Sequence, residues 1–218
     1  MLGKEIWANP TPALLFGLAA GLTPLGLLIA GVIPAEAGPV VAPYLIAVAI
    51  SNLLCSLMLL RNGDLVWGNL GLFFGTMLVT AGAVSSLLRT VWTLRGMEAQ
   101  IAPQFEGWAY LSCGIVLLLF LPVLARVTWP TFLASLVMAL GLVSQGIGYI
   151  GGLDTQLMVN LSKLGGWATT AFGVYLFYAG FAVLTNIVYQ RGVIPLGAPL
   201  VKSGPEEAVP ADAVAQEA

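Results

Sequence analysis

Charged residues recur along the chain at long intervals, and the stretches between them are almost wholly apolar. Six of these windows carry no charge: Ala13 to Ile33, Val40 to Leu60, Gly68 to Leu88, Trp108 to Ala125, Pro130 to Ile150 and Gly166 to Tyr189. A helix rising about 1.5 Å per residue needs about 20 apolar residues to cross a hydrocarbon core about 30 Å thick, and each window is close to that length. Strands of a membrane barrel would instead alternate apolar and polar over segments of about 10 residues, which runs such as "GIVLLLFLPVLA" do not do. The pattern predicts an all-α fold, an integral membrane bundle of six transmembrane helices over residues 13–200. An N-terminal segment, 1–12, precedes it, and an acidic tail, 201–218, follows.

Composition agrees, with 59% hydrophobic and only 8% charged residues, where soluble domains carry about 25% charged. An even number of spans puts both termini on one face. That face carries Lys4, Arg61, Arg126, Arg191 and Lys202, against Arg89, Arg95 and Lys163 on the other. This excess favours cytoplasmic termini and a multi-pass protein of the inner (plasma) membrane. The first window is long for a signal peptide and lacks a small-residue cleavage site, so it is expected to stay as a signal anchor. The tail "SGPEEAVPADAVAQEA" is too polar to bury and is predicted to be disordered. The connection from Arg89 to Gly107 is long enough for a short interfacial helix, and Trp7, Trp67, Trp92, Trp108, Trp129 and Trp167 sit where indoles anchor at headgroups.

The windows hold no Asp, Glu, Lys, Arg or His. A buried carboxylate or histidine relay of the kind that pumps retain at bilayer depth is therefore not expected. Without a nucleophile and base pair, a phosphate loop, metal-ligand spacing or a basic patch, the chain reads as no enzyme, with no cofactor, no metal and no nucleic-acid partner. Cys55 and Cys113 lie inside windows as small apolar packers. Ser51, Thr76, Thr80, Ser144, Thr169 and Thr170 are polar but can bond to their own helix one turn earlier. The amides of Asn52, Gln145 and Asn186 have more donors and acceptors than one helix satisfies. They serve either as glue between helices or as lining of a wet pathway.

Glycine and proline punctuate the windows. Pro10 and Pro12 stand at the entrance of the first helix with Asn9 as an N-cap, and Pro24 is expected to free the carbonyl near Ala20 and kink the helix. Gly17 with Gly21, Gly71 with Gly75 and Gly148 with Gly152 are spaced to let helix backbones approach. The third and sixth windows open alike, with Gly68 and Gly75 matched by Gly166 and Gly173. That likeness fits either an inverted repeat or packing alone.

Two stretches carry a resemblance. "ANPTPALLFGL", with Asn9, Pro10 and Pro12, is similar to the Asn-Pro-Ala-Pro signature of the acetate uptake transporters, the YaaH-type acetate/succinate permeases. "GGWATTAFGVYLFYAGFAVLTNIVYQRGVIPLG" resembles the last helix of that family and its exit, with Gly166, Trp167, Gly173, Asn186, Arg191, Pro195 and Gly197 in register. The likeness covers roughly residues 8–200. It implies a six-helix protomer, a homo-oligomer (hexamer) in the bilayer, and in each protomer a narrow pore for small monocarboxylates such as acetate, in some members succinate, with protons as a candidate co-substrate. The apolar constriction carries over to Leu18, Phe74 and Leu136, with Leu18 standing where the family has Phe and Phe74 where it has Tyr. Asn52 stands for a Gln, Val183 for a Glu, and Gly26, Leu27 and Leu28 occupy positions of a polar Asn and His. The substrate-pathway polar residues are then Asn52, Thr76, Gln145 and Asn186. Two rivals stand beside this reading: a channel for neutral solutes such as urea or short amides, and a membrane assembly protein that transports nothing.

Overall fold

A computed structural model describes residues 8–96 and 104–201. Its helices are α1 (Thr11–Ile29), α2 (Gly38–Arg61), α3 (Leu65–Phe74), α4 (Ala81–Leu94), α5 (Gln104–Leu124), α6 (Trp129–Ile150) and α7 (Gln156–Val188). A π-helical segment, Gly75–Thr80, joins α3 to α4 without a break, so the three form a single third crossing. Six segments are long and apolar enough to cross a membrane, and the chain is an all-helical multi-pass membrane protein. Lys4, Trp7, the middle of the predicted interfacial helix (97–103) and the tail from 202 onward lie outside the described residues.

The helices run further than the charge-free windows. α4 continues through Arg89 to Leu94, α5 starts at Gln104, and α7 extends over 33 residues and takes in Lys163. At about 1.5 Å per residue α7 is roughly 50 Å long, well beyond the hydrocarbon core. A charge marks where a helix leaves lipid, whereas the helix itself stops at a cap. Here the start of α7 is Thr155, whose hydroxyl accepts from the Met158 amide at 3.3 Å. Asp64 caps α3 in the same way through the Trp67 amide, at 3.0 Å.

The entrance of α1 differs in register from the expected cap. Pro10 occupies the cap position and has no side-chain acceptor, so Asn9 reaches over it. Its Oδ1 accepts from the Thr11 amide at 2.9 Å and from the Thr11 hydroxyl at 2.6 Å. α1 then runs through Pro24 as one helix.

Glycines decide how the helices meet. α1 lies antiparallel against α7, with Gly26 and Ala30 at Gly166, Thr23 at Gly173, and Phe16 at Gly180. A Cβ on Gly26 would come within 2.6 Å of the Gly166 carbonyl oxygen and the Thr170 amide nitrogen, so these two backbones touch. α5 and α6 meet similarly, a Cβ on Gly146 falling 2.7 Å from the Leu111 nitrogen. α2 rests on α1 at Gly17 and Gly21, and on the third crossing at Gly68, Gly71 and Gly75. In the last of the spaced pairs, Gly148 packs on α7 while Gly152, at φ +73°, makes the turn after α6. Gly68 and Gly75 face the preceding crossing, whereas Gly166 and Gly173 face α1. The two glycine pairs therefore do different work despite their matching sequence context.

Gly166→Ala should force α1 and α7 apart. The expected loss is about 1–3 kcal/mol, as for other overpacked interiors, and a lowered thermal unfolding midpoint in detergent measures it.

Candidate pathway through the bundle

The side chains that α1, the third crossing, α5, α6 and α7 turn toward one another line two spaces. The wider is an open vestibule of about 760 Å³ at the end of the bundle opposite the described termini. Leu25, Leu28 and Ile29 of α1, Met77 through Ser86 along the third crossing, and Tyr110 and Tyr149 line it, with Glu36, Glu106 and Lys163 at its wall. Tyr110 and Tyr149 stack edge to face there at 5.5 Å.

The second space is a cavity of about 50 Å³ deeper in the bundle. α1 contributes Leu14, Leu18 and Leu22, positions four apart that form one helix face. Phe74, Leu70 and Trp67 come from α3, Leu78 and Val79 from the π segment, Leu117 from α5, Ser135 and Met138 from α6, and Phe172 and Leu176 from α7. Apart from the Ser135 hydroxyl and the Trp67 indole, the wall is apolar. Leu78 lines both the vestibule and the cavity, so the two spaces adjoin at this one side chain.

Leu18 and Phe74 thus stand together on the cavity wall. Leu136, the third member expected there, does not line it and is half-buried. One residue step rotates a helix by about 100°, and it is the neighbouring Ser135 and Met138 that α6 turns inward. Trp67 is more than a headgroup anchor, since it forms part of the cavity wall near the start of α3. Leu14, Leu22, Leu78, Met138 and Phe172 carry no signal in the sequence, because leucine and phenylalanine occupy lipid-facing positions just as often.

The polar candidates separate into two groups. Thr76 is exposed and lines neither space, and its hydroxyl donates to the carbonyls of Leu72 and Phe73, both at 2.9 Å. Asn186 also lines neither space. Its Oδ1 accepts from the amides of Val193 and Ile194 at 2.7 and 2.9 Å, and its Nδ2 donates to the Ile194 carbonyl at 2.9 Å. The amide therefore clasps the exit segment of its own chain, which Tyr178 holds further through the Pro195 carbonyl. That segment runs on to the turn between α5 and α6, where the Trp129 amide donates to Ala198 at 2.9 Å and Leu200 donates to Ala125 at 2.8 Å.

Asn52 and Gln145 differ from these. Each is 0% exposed, and both side-chain atoms of each amide lack a hydrogen-bond partner. Asn52 lies against Gly17 of α1 and Gly75 of the π segment, and Gln145 against Gly165 of α7. Gln145 shares an α6 face with Met138 of the cavity and Tyr149 of the vestibule, at helical spacings of seven and four residues. On the side of the described termini, the Thr131 hydroxyl meets the Tyr175 hydroxyl at 2.6 Å and ties α6 to α7. Cys55 and Cys113 are free and buried, in separate apolar clusters.

Fold and site together define a polytopic helical membrane protein with a narrow apolar space in its interior. A solved structure, that of the bacterial acetate channel SatP, is similar over 88% of this chain and 99% of that one, with a TM-score of 0.74 at 19% sequence identity. The chain therefore has the fold of that channel. No family model matches the sequence, and no curated protein matches it significantly.

Asn186→Leu removes three hydrogen bonds from the exit segment. It should open the Arg191–Gly192 bond to trypsin and cost about 1–3 kcal/mol of stability, read as faster cleavage in limited proteolysis with the helical content retained.

Proposed function

We propose that the protein conducts small monocarboxylates such as acetate across the inner membrane, through the narrow apolar passage inside each protomer. The observation that carries the reading is the vestibule meeting the small cavity at Leu78, within a fold shared with an acetate channel. The termini face the cytoplasm in this reading, as the distribution of cations favours, and the vestibule opens outward. Protomers assemble as a homo-oligomer, a hexamer by family resemblance. Succinate is a further candidate substrate.

The cavity wall carries no cation, so a bare carboxylate would lose its hydration without compensation. The acid therefore crosses protonated, and the partnerless amides of Asn52 and Gln145, buried behind the walls of the two spaces, are the candidate hydrogen-bonding stations. Small carboxylic acids titrate near the carboxylate range of about 4.3, so the neutral fraction falls about tenfold per pH unit above it. Protein-dependent acetate uptake into proteoliposomes should accordingly saturate, be inhibited by propionate, and rise steeply as external pH falls from 7 to 5. Absence of acetate uptake, with urea or acetamide passing instead, would move the assignment to a neutral-solute channel. No flux of any of these solutes through correctly inserted protein would leave an assembly role.

Phe74→Ala widens the passage. It should raise acetate uptake several-fold and admit butyrate, measured in the same vesicles against the wild type.

A further inference from the structure

Leu78 is the one side chain common to both spaces. It is buried, and it packs in the apolar cluster that includes Leu70, Cys113 and Leu117. Its backbone is not an ordinary helix: Gly75–Thr80 is π-helical, directly after Phe74. A π segment inside an α-helix shifts the hydrogen-bond register and leaves backbone groups in need of partners, and such segments concentrate at functional sites. Two threonines supply those partners. Thr76 donates to the Leu72 and Phe73 carbonyls, and Thr80 donates to the Gly75 carbonyl at 2.7 Å. Asn52 of α2 packs its Cβ on Gly75, while its partnerless amide turns its oxygen toward Gly17 of α1. The polar contacts along this stretch thus stay within the helix itself, unlike the backbone-to-backbone seams of α1 with α7 and of α5 with α6.

We infer that Leu78 is the gate that separates the vestibule from the cavity, and that the π segment carrying it supplies the local freedom for it to swing aside. Leu78 then sets which solutes enter the constriction, ahead of Leu18 and Phe74. This deepens the transport reading and rests on it for its physiological meaning, but the gate itself is a property of access and is testable without any solute flux.

The test replaces Cys55 and Cys113 by Ala and introduces a single cysteine by Leu18→Cys, in the cavity, or by Ser85→Cys, in the vestibule. Labelling by a charged, membrane-impermeant methanethiosulfonate is followed in detergent, with Leu78 intact or as Leu78→Ala. The cavity cysteine should label slowly with Leu78 intact and faster by about tenfold or more after truncation. The vestibule cysteine should label at the same rate in both. Leu78→Val, a smaller change in volume, should fall between and serves if the alanine variant is poorly folded. Equal labelling of the cavity cysteine in all three backgrounds would overturn the gate. Acetate uptake by the same variants separates the two claims: a gate that opens by labelling without acetate flux in any variant, wild type included, would sink the transport reading and leave the gate standing.

Discussion

The close backbone approach of α1 and α7 is the contact on which the rest of the structure depends. In lipid there is no hydrophobic drive to bring helices together, so association relies on dispersion between surfaces that fit closely and on a few polar ties. Gly26 against Gly166 and Gly173 against Thr23 bring the first and last crossings within backbone contact. That contact closes the bundle. It also brings the Leu14, Leu18 and Leu22 face of α1 together with Phe172 and Leu176 on the cavity wall. The α5–α6 and α6–α7 seams repeat the device at Gly114, Gly146, Gly141 and Gly165.

The third crossing is built on other terms. It rests on α2 through Gly68, Gly71 and Gly75, yet its centre departs from α-helical geometry at Gly75–Thr80. Irregular backbone at membrane depth survives where protein or a cavity adjoins it and side chains satisfy the freed groups. Here Thr76 and Thr80 do so from within the helix. A frame of glycine seams thus surrounds one crossing with an irregular centre, and that centre carries Leu78 at the junction of the two spaces.

The crossings were legible in the sequence because desolvation is harsh: a charge at bilayer depth costs several kcal/mol, so charge-free windows trace the membrane closely. Helix ends were less legible, since α4 and α7 extend beyond the charge-free windows at Arg89 and Lys163, where hydropathy no longer constrains them. Side-chain roles depended on tertiary placement. Asn186 and Gln145 look alike as buried amides in a sequence, but only a chain that folds back after α7 gives Asn186 its three partners. Thr76 took the ordinary role of a hydroxyl inside a helix. Leu18 and Phe74 came from family resemblance and both line the cavity, whereas Leu136 lies one residue from the α6 position that does. The π segment had no sequence signature beyond its glycine and two threonines.

The central claim is that solutes traverse the small apolar cavity within a protomer. Protein-dependent uptake of formate, acetate, propionate and butyrate, compared at one pH, tests it most directly. Leakage through lipid favours the longer acids, since each added methylene gains about 0.8 kcal/mol on leaving water. A cavity of about 50 Å³ has the opposite preference. The account predicts that the protein-dependent rate falls steeply from acetate to butyrate. Rates that are equal along the series, or that rise with chain length, would contradict it.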